Sequence, residues 1–336
     1  CSFGAYFSSN SATLPAAERT GNMTLIPNTA VHSVDYDPET GRATGVKTVN
    51  VKTNEAKTIT ARVVFLNAGT IATTMIMLNS KSASFKTGLA NSSGTLGKYL
   101  MDHVAGGGGS AVMPGFEDKT HFGRRPNGFY IPRFRNHTEG GKGVRGYGYQ
   151  GRIFRENWRS TINTAGVGAD YKTARQTPGK WVLGMIAFCE ILPDVRNNIS
   201  LHPTRTDQWG LPVPIIDQKH RENEVALMKQ AAQDAKDMMD AAGMEVFSFD
   251  NPDDITAENM SPPGNGIHEM GTARMGRDAK TSVLNKWNQA WDVENLFITD
   301  GAAMTSSAIQ NPSITYMALS ARAANHAADL IEQGVL

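Results

Sequence analysis

The residue of this sequence best suited to acid–base chemistry is His268. It lies in residues 266–276, a segment that reads Gly-Ile-His-Glu-Met-Gly-Thr-Ala-Arg-Met-Gly. Glycine lets the backbone approach a ligand closely, and an imidazole accepts a proton near neutral pH. The pattern therefore indicates a candidate general base, and a structural histidine is the alternative.

A second group of polar residues follows a short apolar strand near the end of the sequence. Asp300 and Gly301 end that predicted strand, and Asn311 and Pro312 precede a helix predicted over residues 313–333. Pro312 is predicted at the first helical position, which proline favours. Because the first turn of a helix has free N–H groups and a partial positive charge, the segment predicts either an anion site or an ordinary capped helix.

The elements that must position these residues begin with an antiparallel meander. β-Branched and aromatic residues separated by turn residues predict strands over residues 31–36, 43–51 and 59–66. The last of these ends in an apolar run, which is typical of a buried strand. A turn at residues 67–70 and a helix over residues 71–78 follow.

The middle of the chain differs in composition. Residues 105–265 open with four glycines and are rich in glycine, arginine and aromatic residues, which favours antiparallel strands joined by long loops. A strand is predicted over residues 181–192. Apolar side chains recur every three or four residues over 222–242, which predicts an amphipathic helix whose methionines pack in the core.

Composition excludes several classes of protein. The 336 residues include 33 Lys and Arg against 32 Asp and Glu, and this net charge of +1 argues against general nucleic-acid binding. Two cysteines, Cys1 and Cys189, exclude a disulfide framework and an all-cysteine metal site. No apolar run is long enough to form a membrane span.

Other motifs are assigned no chemistry of their own. Residues 141–146 match a dinucleotide-binding glycine pattern, but no buried strand precedes them and no helix follows. The pair Asp102-His103 alone predicts a structural hydrogen-bonding element. No metal site is predicted, because four further histidines lack metal-ligand spacing: His121, His137, His202 and His220.

In their order along the chain, these segments resemble the glucose–methanol–choline (GMC) oxidoreductases, a family of flavoproteins. The resemblance is densest from His268 to Ala324, through His-Glu-Met-Gly-Thr-Ala-Arg-Met-Gly, Asn-Leu-Phe-Ile-Thr-Asp-Gly and Asn-Pro-Ser-Ile-Thr. It extends to Asn-Ala-Gly-Thr at residues 67–70 and to Leu-Gly-Lys-Tyr-Leu-Met-Asp-His at residues 96–103. It is loose in the middle of the chain.

The resemblance implies an α/β fold with an FAD-binding, dinucleotide-binding-like domain and an α+β substrate domain that contains an antiparallel sheet. It places the first part of the FAD-binding domain at residues 1–104, the substrate-binding domain at 105–265 and the carboxy-terminal FAD-binding part at 266–336. The family's first strand–loop–helix, which holds the ADP of FAD, has no counterpart in the sequence. We therefore expect an incomplete FAD-binding domain and interpret Cys1 as the end of an internal motif.

The resemblance also implies roles for single residues. His268 is the expected catalytic base, Asn311 is its expected partner, and FAD is the expected cofactor. Val31 corresponds to the position whose backbone meets the adenine, and the helix after Pro312 is expected to direct its positive end at the flavin pyrimidine. The expected cofactor contacts are Val31, Asn67, Ala68, Gly69, Asp300, Gly301, Ala302 and Pro312.

Within the family the sequence is most similar to bacterial sugar dehydrogenases. This similarity implies oxidation of a secondary alcohol of a sugar or glycoside, at ring carbon 3 in the glycoside enzymes, with hydride transfer to flavin. It also implies a small companion subunit, a cytochrome as electron acceptor and a periplasmic location. Two alternatives remain: a GMC alcohol oxidase that uses oxygen, and a non-catalytic remnant or one piece of a split flavoprotein.

Overall fold

The computed structural model describes residues 7–120, 128–136, 143, 145–156, 166–176 and 179–336. Cys1, His121, His137 and three residues of the glycine pattern at 141–146 (Gly141, Lys142 and Val144) lie outside these ranges. The strands are β1 Thr29–Asp37, β2 Arg42–Asn50, β3 Ala56–Thr60, β4 Val64–Leu66, β5 His103–Met113, β6 Phe129–Ile131, β7 Tyr147–Arg155, β8 Trp181–Glu190, β9 Asn198–Thr206, β10 Pro212–Asp217, β11 Glu245–Phe249 and β12 Leu296–Ile298. The helices are α1 Leu14–Glu18, α2 Thr70–Asn79, α3 Gly168–Gln176, α4 Glu222–Ala241 and α5 Ser313–Glu332.

The first sheet is the predicted meander, with one correction. Strands β1, β2 and β3 pair antiparallel in that order. The single strand predicted over residues 59–66 is wrong, because the chain forms β3 and then β4 in a different sheet. The two segments differ in polarity and burial: β3 is polar and mostly exposed, whereas the apolar side chains of Val64 and Leu66 are buried.

The second sheet joins the two ends of the chain. Strand β4 pairs in parallel with β12, so that Val64 lies opposite Leu296 and Leu66 opposite Ile298. The turn after β4 leads directly into α2. Parallel strands place their carboxyl ends at one edge of the sheet, and the residues that follow β4 therefore meet those that follow β12.

The largest sheet carries the middle of the chain. Its antiparallel order is β11-β5-β8-β7-β6, and β9 pairs with β10 in a separate hairpin. Helix α4 packs on this sheet through fully buried side chains such as Leu227 and Met239, next to the buried rings of Tyr147 and Tyr149. The predicted strand over 181–192, the helix over 222–242 and the core role of its methionines are confirmed.

The run of four glycines belongs to β5 rather than to a loop. A register shift between Gly106 and Gly109 gives β5 one residue more than β8 across the same stretch, which is a β-bulge. A Cβ at Gly108 would lie 2.0 Å from the Met185 carbonyl oxygen, and a Cβ at Gly107 would lie 2.6 Å from the Met228 sulfur. Glycine is therefore required here by the close approach of β8 and α4.

Two apolar clusters form most of the core. One lies between the five-stranded sheet and α4, and the other surrounds β4, β12 and α2. The chain passes between them at Met101 and Met270, whose backbones exchange hydrogen bonds of 2.9 Å in both directions. In the described part of the chain, no helix has the length and apolar character needed to cross a membrane.

Candidate active site

The backbone around His268 is held by one carboxylate. Asp102 Oδ1 accepts hydrogen bonds from the backbone N–H of His268 at 2.9 Å and from that of His103 at 2.7 Å. Gly266 allows this approach, because a Cβ there would lie 2.4 Å from the His103 carbonyl oxygen. The Asp102-His103 pair is thus a hydrogen-bonding element, and it fixes the segment that carries the predicted base.

The side chain of His268 contacts a polar group at each ring nitrogen. Its Nε2 lies 3.1 Å from Asn311 Nδ2, and its Nδ1 lies 2.9 Å from Nδ1 of His103. Asn311 Oδ1 accepts a hydrogen bond of 2.6 Å from Gln150 Nε2. At the far end, His103 Nε2 contacts the backbone carbonyl oxygen of Ala308. The structure therefore brings together the predicted base and its predicted partner.

Both histidines are biased towards the neutral form. Burial lowers the pKa of His268, against the opposite effect of the negative charges of Asp102 and Glu269. Burial also lowers the pKa of His103, which is 2% exposed, although its contact with the Ala308 carbonyl opposes that shift. A neutral imidazole is the form that can accept a proton.

A cavity opens beside this pair over the five-stranded sheet. Its volume is about 860 Å³, and Asn311 and Gln150 lie in its wall. Phe188 also lines the cavity, and its ring centroid lies 6.0 Å from those of both His103 and His268. Serine, tyrosine, arginine and aspartate side chains join these residues in a lining that is both polar and aromatic: Ser110, Ser248, Tyr130, Arg152 and Asp250.

The residues after β4 and β12 meet through Asp300. Its Oδ2 accepts a hydrogen bond from the Gly69 N–H at 3.0 Å and one from the Thr73 hydroxyl, while its Oδ1 accepts the Ala302 N–H at 2.9 Å. Burial raises the pKa of Asp300, and these three hydrogen bonds counteract that shift. The carboxylate of Asp300 is therefore engaged inside the protein.

Gly301 packs closely against the start of α2 and against the loop that carries His268. A Cβ at Gly301 would lie 2.4 Å from Thr70 Oγ1 and 2.5 Å from the Glu269 carbonyl oxygen. The Gly301 carbonyl also accepts the N–H of Gly271 at 2.9 Å. The loop that carries His268 is thereby attached to the end of β12.

The predicted adenine position lies at a separate cleft. Val31 and Ala68 line a mainly apolar space of about 360 Å³, together with Ala72 and Met75 of α2. Nearby, Asn67 Oδ1 accepts a hydrogen bond of 2.6 Å from the Thr299 hydroxyl. An apolar cleft beside a glycine turn has the chemistry that a flat heterocycle requires, so the lining fits the adenine of FAD.

Helix α5 begins next to Asn311. Pro312 is the N-cap of this helix, one residue before Ser313, and its carbonyl accepts the N–H groups of Thr315 and Tyr316. The side chain of Ile314, in the first turn, is 76% exposed. The open, partly positive end of a 20-residue helix fits the electron-rich pyrimidine edge of a flavin.

Three residues of the site were missed or undervalued by sequence reasoning: Asp102, His103 and Gln150. Asp102 and His103 were predicted only as a structural pair, because the partner of His103 lies 165 residues away. Gln150 gave no signal in the sequence. Within the described ranges, no group of three His, Cys, Asp or Glu side chains is arranged to hold a metal ion.

Family models and relatives agree on the class of protein. Two models described as GMC oxidoreductase match residues 1–105 and 193–320. The chain is 32% identical to 2-methyl-1,2-propanediol dehydrogenase of Mycolicibacterium austroafricanum over 87% of this chain and 53% of that protein. It is 25% identical to the fructose dehydrogenase large subunit of Gluconobacter japonicus over 99% of this chain and 59% of that subunit.

The solved structure of pyridoxine 4-oxidase from Mesorbium loti has the same fold. It superposes with a TM-score of 0.61 at 13% identity, over 96% of this chain and 62% of that one. The chain thus spans little more than half the length of the curated relatives it matches. With both family models matched in order and the fold shared, the chain belongs to the GMC oxidoreductases, a family whose cofactor is FAD.

Proposed function

We propose that this protein is part or all of an FAD-dependent dehydrogenase that oxidises a secondary alcohol of a sugar or glycoside. The observation that carries the proposal is the contact of His268 Nε2 with Asn311 Nδ2 at 3.1 Å, because Asn311 lies in the wall of a cavity of about 860 Å³. Alcohol oxidation needs a group that accepts the hydroxyl proton and a second group that receives the hydride.

His268 is the proposed proton acceptor. Its lowered pKa favours the neutral imidazole, the form that can accept a proton, and proton transfer to a positioned base contributes typically ~10²–10⁴-fold to a rate. Asn311 donates to the same region through its amide and holds the substrate oxygen beside Nε2 without competing for the proton. A substrate hydroxyl would displace or share the Asn311 hydrogen bond.

The cavity lining supports a substrate with several hydroxyl groups. Ser110, Ser248 and Asp250 supply hydrogen-bond partners, and Tyr130 and Phe188 supply aromatic faces for the C–H surface of a sugar ring. Two relatives have sugar-type names, the fructose dehydrogenase large subunit and the C-glycoside 3-oxidase of Arthrobacter globiformis, which is 24% identical over 47% of this chain. We accordingly include oxidation at ring carbon 3 in the proposal.

FAD, when bound, supplies the hydride acceptor. We propose that Val31 and Ala68 hold the adenine and that Asn67 and Gly69 border the cofactor. The backbones of Asp300, Gly301 and Ala302 lie along the cofactor in this proposal. The amino-terminal end of α5, at Pro312, directs its partial positive charge at the flavin.

The proposal is tested with His268→Ala in the purified, FAD-loaded protein. Anaerobic addition of sugar should bleach the flavin absorbance of the wild type. The bleaching rate of the variant should be lower by a factor of about 10² or more. His202→Ala, which removes a histidine from β9, is the matched control and should behave as the wild type. Bleaching of His268→Ala at the wild-type rate would exclude His268 as the base.

A second candidate substrate is a small diol. It is favoured by the 32% identity to a 2-methyl-1,2-propanediol dehydrogenase, whose named substrate offers a primary alcohol. Comparing flavin reduction by fructose, a methyl glycoside and this diol decides between the two classes. Oxygen uptake during turnover would identify an oxidase instead of a dehydrogenase.

We further propose a companion subunit and a cytochrome acceptor in the periplasm. The relative that is named as a large subunit supports the companion subunit, whereas the cytochrome and the location rest on the family resemblance. Co-purification of a haem-containing polypeptide that reoxidises the reduced flavin is the expected result.

A further inference from the structure

We propose that His103 is a positioning residue that fixes the tautomer of His268, holding the proton on Nδ1 and leaving Nε2 free to act as the base. The inference rests on the proposed role of His268. The tautomer itself is a property of the resting protein, and it is measured without turnover.

The direction of the hydrogen bonds is set by one group that can only accept. His103 Nε2 contacts the backbone carbonyl oxygen of Ala308, which has no proton to give. This contact requires the proton of His103 to be on Nε2. In a neutral imidazole the other nitrogen then carries a lone pair, so Nδ1 of His103 is an acceptor.

That acceptor faces Nδ1 of His268 at 2.9 Å. Two ring nitrogens at this distance form a hydrogen bond only when one proton lies between them. Because Nδ1 of His103 is the acceptor, the proton belongs to Nδ1 of His268. Nε2 of His268 is then the free nitrogen, and it faces Asn311 Nδ2 at 3.1 Å.

The same reasoning extends to Gln150. Since Nε2 of His268 accepts, Asn311 must present its amide N–H₂ to it and its carbonyl oxygen Oδ1 to the other side. There Oδ1 receives the hydrogen bond of Gln150 Nε2 at 2.6 Å. Every hydrogen bond in the chain from Gln150 through Asn311, His268 and His103 to Ala308 therefore agrees with one arrangement of protons. Burial favours the neutral form of His103 that this arrangement contains.

The surroundings hold the two rings in this geometry. Asp102 Oδ1 binds the backbone N–H of both histidines. The rings meet edge to face, with centroids 5.0 Å apart and planes at 82°, and both pack against Phe188. An unconstrained histidine in water favours the Nε2-protonated tautomer, which would present a donor rather than a base to the substrate.

The test is the ring-nitrogen spectrum of histidine in the purified protein. Two-bond ¹H–¹⁵N correlation of ¹⁵N-histidine-labelled wild type should show Nδ1-protonated His268 and Nε2-protonated His103, assigned by the signals lost in His268→Gln and His103→Phe. An Nε2-protonated His268 in the wild type overturns the proposal, and the assignment of the His268 signals needs only the His268→Gln variant.

The His103→Phe variant tests the cause. It keeps ring volume and removes the acceptor, so His268 should change to a tautomer mixture dominated by the Nε2-protonated form. His202→Phe, the matched control, should leave the His268 signals unchanged. If His268 retains its Nδ1-protonated pattern in His103→Phe, the positioning role is wrong.

In the active enzyme we expect the His103→Phe variant to lower kcat about 5-fold or more and to keep KM within about 2-fold of the wild type, since only the competent tautomer reacts.

A failure of the base assignment gives a different pattern. In that case His268→Ala bleaches at the wild-type rate, while the tautomers of both histidines are still as proposed. The two proposals therefore fail independently.

Discussion

Asn311 Nδ2 lies 3.1 Å from Nε2 of His268, although 43 residues separate them along the chain. The amide points its donor at the ring because Gln150 occupies its carbonyl oxygen. In the proposed tautomer Nε2 of His268 is consequently an acceptor, which is the state a general base requires.

Replacing Asn311 should separate the effect of the donor from the effect of charge. Asn311→Ala removes the hydrogen bond to Nε2 and should slow flavin reduction by about 10-fold, within the range for a positioned polar group. Asn311→Asp places a carboxylate against Nε2, which favours the protonated imidazole and should slow reduction by about 10²-fold at neutral pH. Stopped-flow bleaching measures both rates, and an aspartate variant as fast as the alanine variant would contradict the charge effect.

The pH dependence should follow the lowered pKa of His268. Activity requires the neutral imidazole, so kcat/KM should fall as the pH decreases through a pKa below the usual value of about 6.5. Asp102 raises this pKa through its negative charge. In Asp102→Asn the oxygen that accepts both N–H groups is retained and the charge is lost, so the acid limb should move to lower pH by less than about one unit.

The control for that shift is Asp118→Asn, which removes an exposed carboxylate beside Lys119. Its pH profile of kcat/KM should match that of the wild type. An acid limb that moves to higher pH in Asp102→Asn would mean that Asp102 does not act on His268 through its charge.

Gly301→Ala should destabilise the protein through overpacking. The new Cβ would lie 2.4 Å from Thr70 Oγ1 and 2.5 Å from a backbone oxygen, and backbone cannot move aside cheaply. We expect a loss of about 1–3 kcal/mol in the free energy of unfolding. Gly184→Ala is the matched control, because its Cβ would meet only Ser110 Oγ at an ordinary 3.5 Å. Equal denaturant midpoints for the two variants would contradict the steric explanation.

Replacing Arg135 should lower the free energy of unfolding, because it leaves a buried carboxylate without its cation. Asp234 on α4 accepts two hydrogen bonds from the Arg135 guanidinium and one from the Tyr147 hydroxyl, and its side chain is only 7% exposed. Arg135→Met leaves that carboxylate without its cation and should cost about 2–4 kcal/mol of unfolding free energy. Chemical denaturation followed by circular dichroism measures the loss.

The comparison variant for this prediction is Arg196→Met. Arg196 pairs with Asp194, but its side chain is 67% exposed, and surface pairs contribute about 0–1 kcal/mol. A loss for Arg135→Met no greater than that for Arg196→Met would show that the network around Asp234 is not a stabilising one.

Local sequence patterns predicted most of the elements but not their partners. The strand over 181–192 was predicted, and the helix over 222–242 follows from periodicity, which depends on which face is buried. The strand over 59–66 failed because periodicity does not reveal a change of sheet, and the chain leaves the meander between Thr60 and Val64. The composition around the glycines of β5 predicted strands and loops without placing the bulge, because the requirement for glycine comes from Met185 and Met228, which are distant in sequence.

The site shows the same division. His268 and Asn311 lie in dense local motifs, and the family resemblance identified them. His103 was undervalued and Gln150 was not noticed, because their roles come from contacts across 165 and 161 residues. Such contacts depend on the register between β5, β7 and β8, which single-sequence patterns do not contain.

The bulge in β5 acts as a spacer between two parts of the site. The strand begins at His103, beside the base, and continues to Gly108, Gly109 and Ser110 in the cavity floor. Deleting one residue between Gly106 and Gly109 would remove the bulge and let β5 and β8 pair one to one from His103 to Met113. One short glycine segment therefore lets a single strand carry both the histidine that contacts His268 and residues that line the cavity.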